Sequence, residues 1–281
     1  MNNGFVCPRC AGALVGDAAS IRCLSCSSIF PVEHGVADFF ISESDEEIVD
    51  ERNAIWEDPE IIHIRNTHYD FCYRELKGVR FCLDRLNKLE KGGLRILEVG
   101  TGTGHFAKLM DERLRRSEIY SFDSSWGILK KARLHTARAD RIILFRANSR
   151  SGLPFPKQWF DVIFDRLAPL GAHHVPVLIA GKELLKPVGL YMQIGAYPVA
   201  FDTPPVEWAK HCGYRQAEYH VWQYPREKLW EEYCASIPEG KFLREDLSLD
   251  EAKALYKEML SERRSETVTV DAYESALFAF L

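Results

Sequence analysis

The sequence has no apolar run of 18 or more residues, the length that a helical membrane span needs. Its start, Met1 to Cys10, lacks a charged stretch followed by an apolar one. No secretory signal is read there, and the cytoplasm is the expected compartment. Basic charge is also in short supply: 36 Lys and Arg stand against 41 Asp and Glu, a formal net charge of -5. This balance does not favour a protein that coats nucleic acid non-specifically, because neutralising phosphates takes clustered Lys and Arg. It leaves room for a local basic patch. Internal repeats and low-complexity tracts are missing as well.

What is present fits a globular chain. With 281 residues there is room for one large domain, or for a medium domain with a small appendage. The hydrophobic share of 46% is enough to bury a substantial core. Four of the eight cysteines fall within the first 26 residues, and Cys72, Cys82, Cys212 and Cys234 are scattered. In a chain read as cytoplasmic, clustered cysteines point to metal and scattered ones to buried thiols.

The clustered cysteines form two CxxC knuckles, Cys7-Pro8-Arg9-Cys10 and Cys23-Leu24-Ser25-Cys26, separated by 12 residues. Four thiolates so spaced can surround a tetrahedral Zn²⁺, and a closed four-cysteine site makes that zinc structural. A module of about 40 residues has too little core to stand unaided, so the metal supplies folding energy. Residues 1–41 are therefore read as a zinc ribbon ending in a short strand at Val36 to Phe40. Residues 42–92 follow as a helical linker segment. Within it Leu76, Val79, Leu83 and Leu86 recur at helical spacing.

From residue 93 the rhythm changes to strands alternating with helices, which implies a parallel sheet covered on both faces. Strands are expected at Leu94–Val99, Ile119–Phe122, Ile142–Phe145, Phe160–Phe164 and Leu190–Ile194. The turn Gly100-Thr101-Gly102-Thr103-Gly104 leads from the first strand into a helix. Glycines there let the backbone approach a ligand and adopt positive φ, and the helix start offers free N–H groups. Dinucleotide-binding folds use a related turn, so it does not specify the ligand by itself. Asp123, at the end of the next strand, is placed to accept hydrogen bonds from ribose hydroxyls.

Four segments in register then resemble class I S-adenosylmethionine-dependent methyltransferases: LRILEVGTGTGHFAKLM, IYSFDSSWGILKKAR, NSRSGLPFPKQWFDVIF and KELLKPVGLYMQIG, over about residues 94–195. The resemblance implies a Rossmann-like, seven-stranded α/β sheet, with strand six at Ala217 to Trp222 and strand seven at Ser275 to Leu281. It also implies a methyltransferase domain over residues 93–281, with an insertion at about 223–270. Glu98, Gly100, Thr101, Gly102 and Gly104 would lie beneath the methionine part of S-adenosylmethionine. Asp123 would hold the ribose, Ser124 would approach the adenine, and Asn148 or Ser149 would reach its amine, where the family usually has Asp. Ribbon, helical segment and the GLPFP loop together are similar to the zinc-ribbon ribosomal-RNA guanine-N1 methyltransferases. Those usually have a histidine as fourth ligand, where this chain has Cys26.

Methyl transfer from a sulfonium needs positioning more than acid–base work. After the fourth strand, Asp165 is the candidate to orient a substrate N–H or O–H, with a helix cap or a pair with Arg166 as its plain alternative. His173 and His174 are candidate bases, or the solvated residues of a loop. The loop has no Asn/Asp-Pro-Pro-Tyr motif, which argues against amine methylation of bases of that type. The aromatic-rich region 196–270 reads as core packing, as a wall over an apolar substrate, or as a stacking surface for bases. The expected activity is methyl transfer to a small-molecule acceptor. RNA methylation with the ribbon gripping the substrate is the first alternative, and a non-catalytic cofactor-binding partner is the second.

Overall fold

The computed structural model describes residues 4–41, 77–148, 152–166, 175–195, 205–224 and 272–281. The linker before Lys77 and most of the insertion expected at 223–270 lie outside the described residues. Among the described residues no helix is long and apolar enough to cross a membrane.

The ribbon contributes four short strands, β1 (Leu14–Gly16), β2 (Ser20–Cys23), β3 (Ile29–Glu33) and β4 (Val36–Asp38). They form an antiparallel meander. Helix α1 (Lys77–Leu89) is amphipathic, and it buries Val79, Cys82, Leu83 and Leu86. The alternating part follows: β5 (Arg95–Val99), α2 (His105–Arg113), β6 (Glu118–Asp123), α3 (Trp126–His135), β7 (Ile142–Arg146) and β8 (Phe160–Arg166). After these come α4 (Val175–Leu184), β9 (Leu185–Gly195), α5 (Pro205–His211), β10 (Gln216–Tyr224) and β11 (Ala272–Phe280).

Where a seven-stranded sheet was expected for the domain, the whole sheet has 11 strands, in the order β1-β2-β3-β4-β7-β6-β5-β8-β9-β11-β10, because the four strands of the ribbon add to the seven from β5 to β11. The ribbon does not stop beside the sheet; it extends it. β4 pairs in parallel with β7, with Ala37 opposite Phe145 and Asp38 opposite Arg146. From β7 to β9 the strands are parallel, and β11 runs antiparallel to both β9 and β10. A run such as Ile96-Leu97-Glu98-Val99 is buried throughout because helices or the ribbon cover both faces.

Two apolar layers flank the sheet. One holds α1, α2 and the inward residues of β5, β8, β9 and β11, with Phe106 stacked on Phe164 at 4.5 Å between ring centroids. The other joins the ribbon to the domain: Phe5, Phe30 and Phe39 pack with Phe145 and Phe155. Ribbon and sheet thus share one aromatic core.

Strand order reverses at β5, where the chain goes to β6 and β7 on one side and to β8 and β9 on the other. The crevice outside the C-terminal ends of strands at such a switch point is where open α/β sheets take ligands.

One buried charge fastens the ribbon. Arg146, at the end of β7, is 5% exposed. Its Nη1 donates to Asp38 Oδ2 at 3.2 Å and its Nε to the Ser124 carbonyl at 2.8 Å. Removing one partner of a buried pair leaves an uncompensated charge. Asp38→Ala is therefore expected to cost about 3–5 kcal/mol in guanidinium-chloride unfolding of the full chain. Asp38→Ala combined with Arg146→Met should be less destabilised than the single Asp38 variant.

Candidate functional site

The glycine turn sits at the switch point. Gly100, Gly102 and Gly104 have φ of 72°, 54° and 82°, a region that L side chains rarely adopt. A Cβ added at Gly100 would meet nothing within 4 Å, so the turn faces open space on that side. The turn is pinned from below, where the Thr101 N–H donates to the Phe122 carbonyl at 2.8 Å. α2 then starts at His105, and Gly104, its N-cap, has no side chain to cap it.

Asp123 closes the turn against β6. Its Oδ2 accepts the Gly102 N–H at 3.1 Å and its Oδ1 the Ser125 N–H at 3.1 Å. Ser125 caps α3 by accepting the Ile128 N–H, which fixes the backbone just beyond the acid. Glu98 is fully buried beneath the turn, and its Oε2 accepts hydrogen bonds from Thr101 Oγ1 at 2.9 Å and Ser121 Oγ at 2.8 Å. Ser124 and Asn148 flank the same edge, half-buried, at the ends of β6 and β7. Ser149, His173 and His174 lie outside the described residues.

Asp165 lies within β8, opposite Val99 and Gln193, whereas the sequence reading began a loop there. It is 1% exposed, and Tyr191 Oη donates to its Oδ2 at 2.7 Å. Burial first, and the Asp165 charge second, push the Tyr191 phenol well above its ordinary value of 10. Tyr191 escaped the sequence reading, although its place in an apolar strand opposite a charged one was a usable signal. The edge-on ring pair His105–His135, 3.9 Å between centroids at the start of α2, escaped it too.

In the ribbon the four knuckle sulfurs of Cys7, Cys10, Cys23 and Cys26 all lie within 4.8 Å of one another. Cys7 and Cys26 stand 3.6 Å apart and Cys10 and Cys23 3.5 Å, and all four are free thiols. Four thiolates at about 2.3 Å from one tetrahedral zinc would be about 3.8 Å apart, so the spacing fits such an ion. The Ser25 and Cys26 N–H groups both point at the Cys23 sulfur, at 3.4 Å. Hydrogen bonds from the Ser28 hydroxyl and N–H hold the Cys26 thiol down to about 6, while burial pushes Cys7 up.

Residues 96–189 match the sequence model of a methyltransferase domain. Malonyl-acyl-carrier-protein O-methyltransferase of Xylella fastidiosa is 28% identical over 120 residues, covering 42% of this chain and 38% of that protein. Protein-L-isoaspartate O-methyltransferase of Thermococcus sibiricus is 33% identical over 109 residues, covering 36% of this chain and 47% of that protein. The chain thus spans less than half the length of these curated relatives. Among solved structures, phosphoethanolamine N-methyltransferase 2 of Haemonchus contortus superposes with a TM-score of 0.53 at 18% identity, covering 70% of this chain and 52% of that one. The cyclase SpnF superposes with a TM-score of 0.50 at 19% identity, covering 70% of this chain and 80% of that one. Such identities establish the fold alone. Residues 96–189 thus match a methyltransferase domain, and the solved structures share the Rossmann-like fold of the chain.

Tyr191 offers a test of the buried pair. Tyr191→Phe removes the donor that Asp165 accepts and should cost about 1–3 kcal/mol in urea unfolding at pH 8. Because the folded pKa lies above the unfolded value, the phenol's contribution is complete below pH 10 and is lost as pH climbs towards the folded pKa. Above pH 10 the wild-type stability should therefore fall more steeply with pH than that of the variant.

Proposed function

We propose that this chain is an S-adenosylmethionine-dependent methyltransferase acting on a small-molecule acceptor, with a structural zinc ion in its ribbon. The observation that carries the reading is the Gly100–Gly104 turn, facing open space and locked to the Asp123 carboxylate within a methyltransferase-type segment. When bound, S-adenosylmethionine supplies an activated sulfonium methyl. Asp123 accepts hydrogen bonds from the ribose hydroxyls. The turn admits the amino-acid end closely because Gly100 brings no side chain. Glu98, held by Thr101 and Ser121, keeps the floor of the turn rigid. Ser124, with Asn148 or Ser149, serves the adenine end.

On the acceptor side, Asp165 is a positioning group held by Tyr191, and His173 and His174 remain the candidate bases. Excluding water and fixing the acceptor in line supply most of the acceleration. A small acceptor is supported by the net charge of -5. The relatives' names give malonyl-acyl-carrier protein and protein L-isoaspartate, both borne on proteins, and a structural neighbour's name gives phosphoethanolamine; none of the three is a nucleic acid. Cys7, Cys10, Cys23 and Cys26 would hold the zinc, which by its closed ligand set stabilises the ribbon and takes no part in transfer.

Calorimetric titration with S-adenosylhomocysteine should give micromolar binding, with NAD as a control that does not bind. Asp123→Ala should weaken that binding by about 1–3 kcal/mol, the loss expected for a hydrogen bond to a charged group. Unchanged affinity would remove Asp123 from the site. Elemental analysis of the purified chain should find one zinc per chain, and the Cys7→Ser, Cys10→Ser double variant should lose it. A chain purified without zinc, and taking none up, would sink the metal assignment.

A further inference from the structure

Phe40 lies two residues beyond β4, just before the described ribbon ends at Ile41. Because β4 runs parallel to β7, both strands leave the sheet at one edge. The edge is shared with the glycine turn and with Asp123. The register is fixed: Asp38 lies opposite Arg146, and the Phe39 N–H donates to the Arg146 carbonyl at 2.8 Å. Phe40 therefore falls level with the residues that follow β7.

Val36, Ala37 and Phe39 are buried, whereas Phe40 is left half-buried. Its place is nonetheless well defined. Its N–H donates to Asp38 Oδ1 at 3.0 Å, and the Arg146 guanidinium carbon lies 4.4 Å from its ring centroid. The same guanidinium lies 5.7 Å from the ring of Trp126, the first residue of α3, and bonds the carbonyl of Ser124 beside Asp123. One buried cation thus links a ribbon aromatic, a helix aromatic and the backbone next to the ribose acid. Of the other described residues at the ends of β6 and β7, Ser124, Ser125, Ala147 and Asn148 offer no flat apolar surface, which leaves the rings of Phe40 and Trp126 on either side of Arg146.

We infer that Phe40 forms the outer wall of the adenine end of the cofactor cleft, so that the N-terminal ribbon supplies part of the S-adenosylmethionine site. The inference rests on the cofactor assignment proposed above. A purine needs a flat partner, and aromatic rings supply one with little loss of entropy on binding. The Arg146 cation on one side of the ring orients it and leaves the ring itself to meet the base.

The test is titration of the full chain with S-adenosylhomocysteine in wild type and in Phe40→Leu and Phe40→Tyr. Leucine keeps the apolar cover over Arg146 but removes the aromatic face. Stacking predicts about a tenfold loss of affinity for Phe40→Leu and near wild-type affinity for Phe40→Tyr. Wild-type affinity in Phe40→Leu, or equal losses in both variants, would overturn the inference. If wild type itself fails to bind, the cofactor assignment falls and this inference with it, an outcome distinct from the others. Should Phe40→Leu fail to fold, Phe40→Trp decides. Extra tryptophan quenching on ligand addition, relative to wild type, supports the wall, and unchanged quenching overturns it.

Discussion

A guanidinium taken out of water must be matched on nearly every side, and the seam between the ribbon and the sheet is organised around that demand. Arg146 is met by a carboxylate from β4, a carbonyl from the turn after β6 and two aromatic rings. The partners come from the β4 segment, from the turn after β6 and from α3, so each is fixed by the others. β4 must pair in one register for Asp38 to reach, and α3 must start where it does for the Ser124 carbonyl to point inward. An ion pair of this kind contributes little net stability compared with an apolar replacement, but an unmatched charge penalises alternative registers. The three-residue β4, too short to hold its register by backbone bonds alone, gains its specificity in this way.

The same seam settles an edge problem. Without the ribbon, β7 would expose unpaired N–H and C=O groups along one side of the parallel sheet, a template for unwanted pairing. β4 covers β7, and β3, β2 and β1 carry the sheet outward. A small module can do this only if it is itself ordered, and its own core is slight. It borrows Phe145 and Phe155 from the domain, and the close cysteine sulfurs fit a cross-link at the far end. The ribbon's presence therefore has a structural reason that requires no RNA contact.

The strands from β5 to β9 were legible in the sequence because strands buried on both faces read as apolar runs, and the turn was legible because three glycines in five residues serve little else. The cysteine knuckles announced themselves by spacing. What was not legible depended on distance along the chain. Asp38 and Arg146 are 108 residues apart, and a stretch as short as Val-Ala-Asp carries no sign of its partner. Asp165 was placed in a loop because a carboxylate ending an apolar run looks like the first solvated residue. Its partner Tyr191, on the neighbouring strand, helps to make a strand position tolerable. Tyr214, one of the aromatics with three readings, turns out to be core, with its hydroxyl donated to the Leu178 carbonyl.

Fold alone does not decide chemistry here, since a cyclase and an N-methyltransferase share this architecture with the chain. What bears on chemistry is how the switch point is furnished. A carboxylate that already accepts backbone N–H groups on both oxygens stays in one orientation whether or not a ligand is present, so binding does not have to order it. Glu98 beneath it accepts hydrogen bonds from the hydroxyls of Thr101 and Ser121, which tie the floor of the turn to β6. A cationic cofactor is best tolerated in a cleft whose buried charges of like sign are already paired. Arg146, the buried cation of this edge, is turned towards Asp38 and the ribbon.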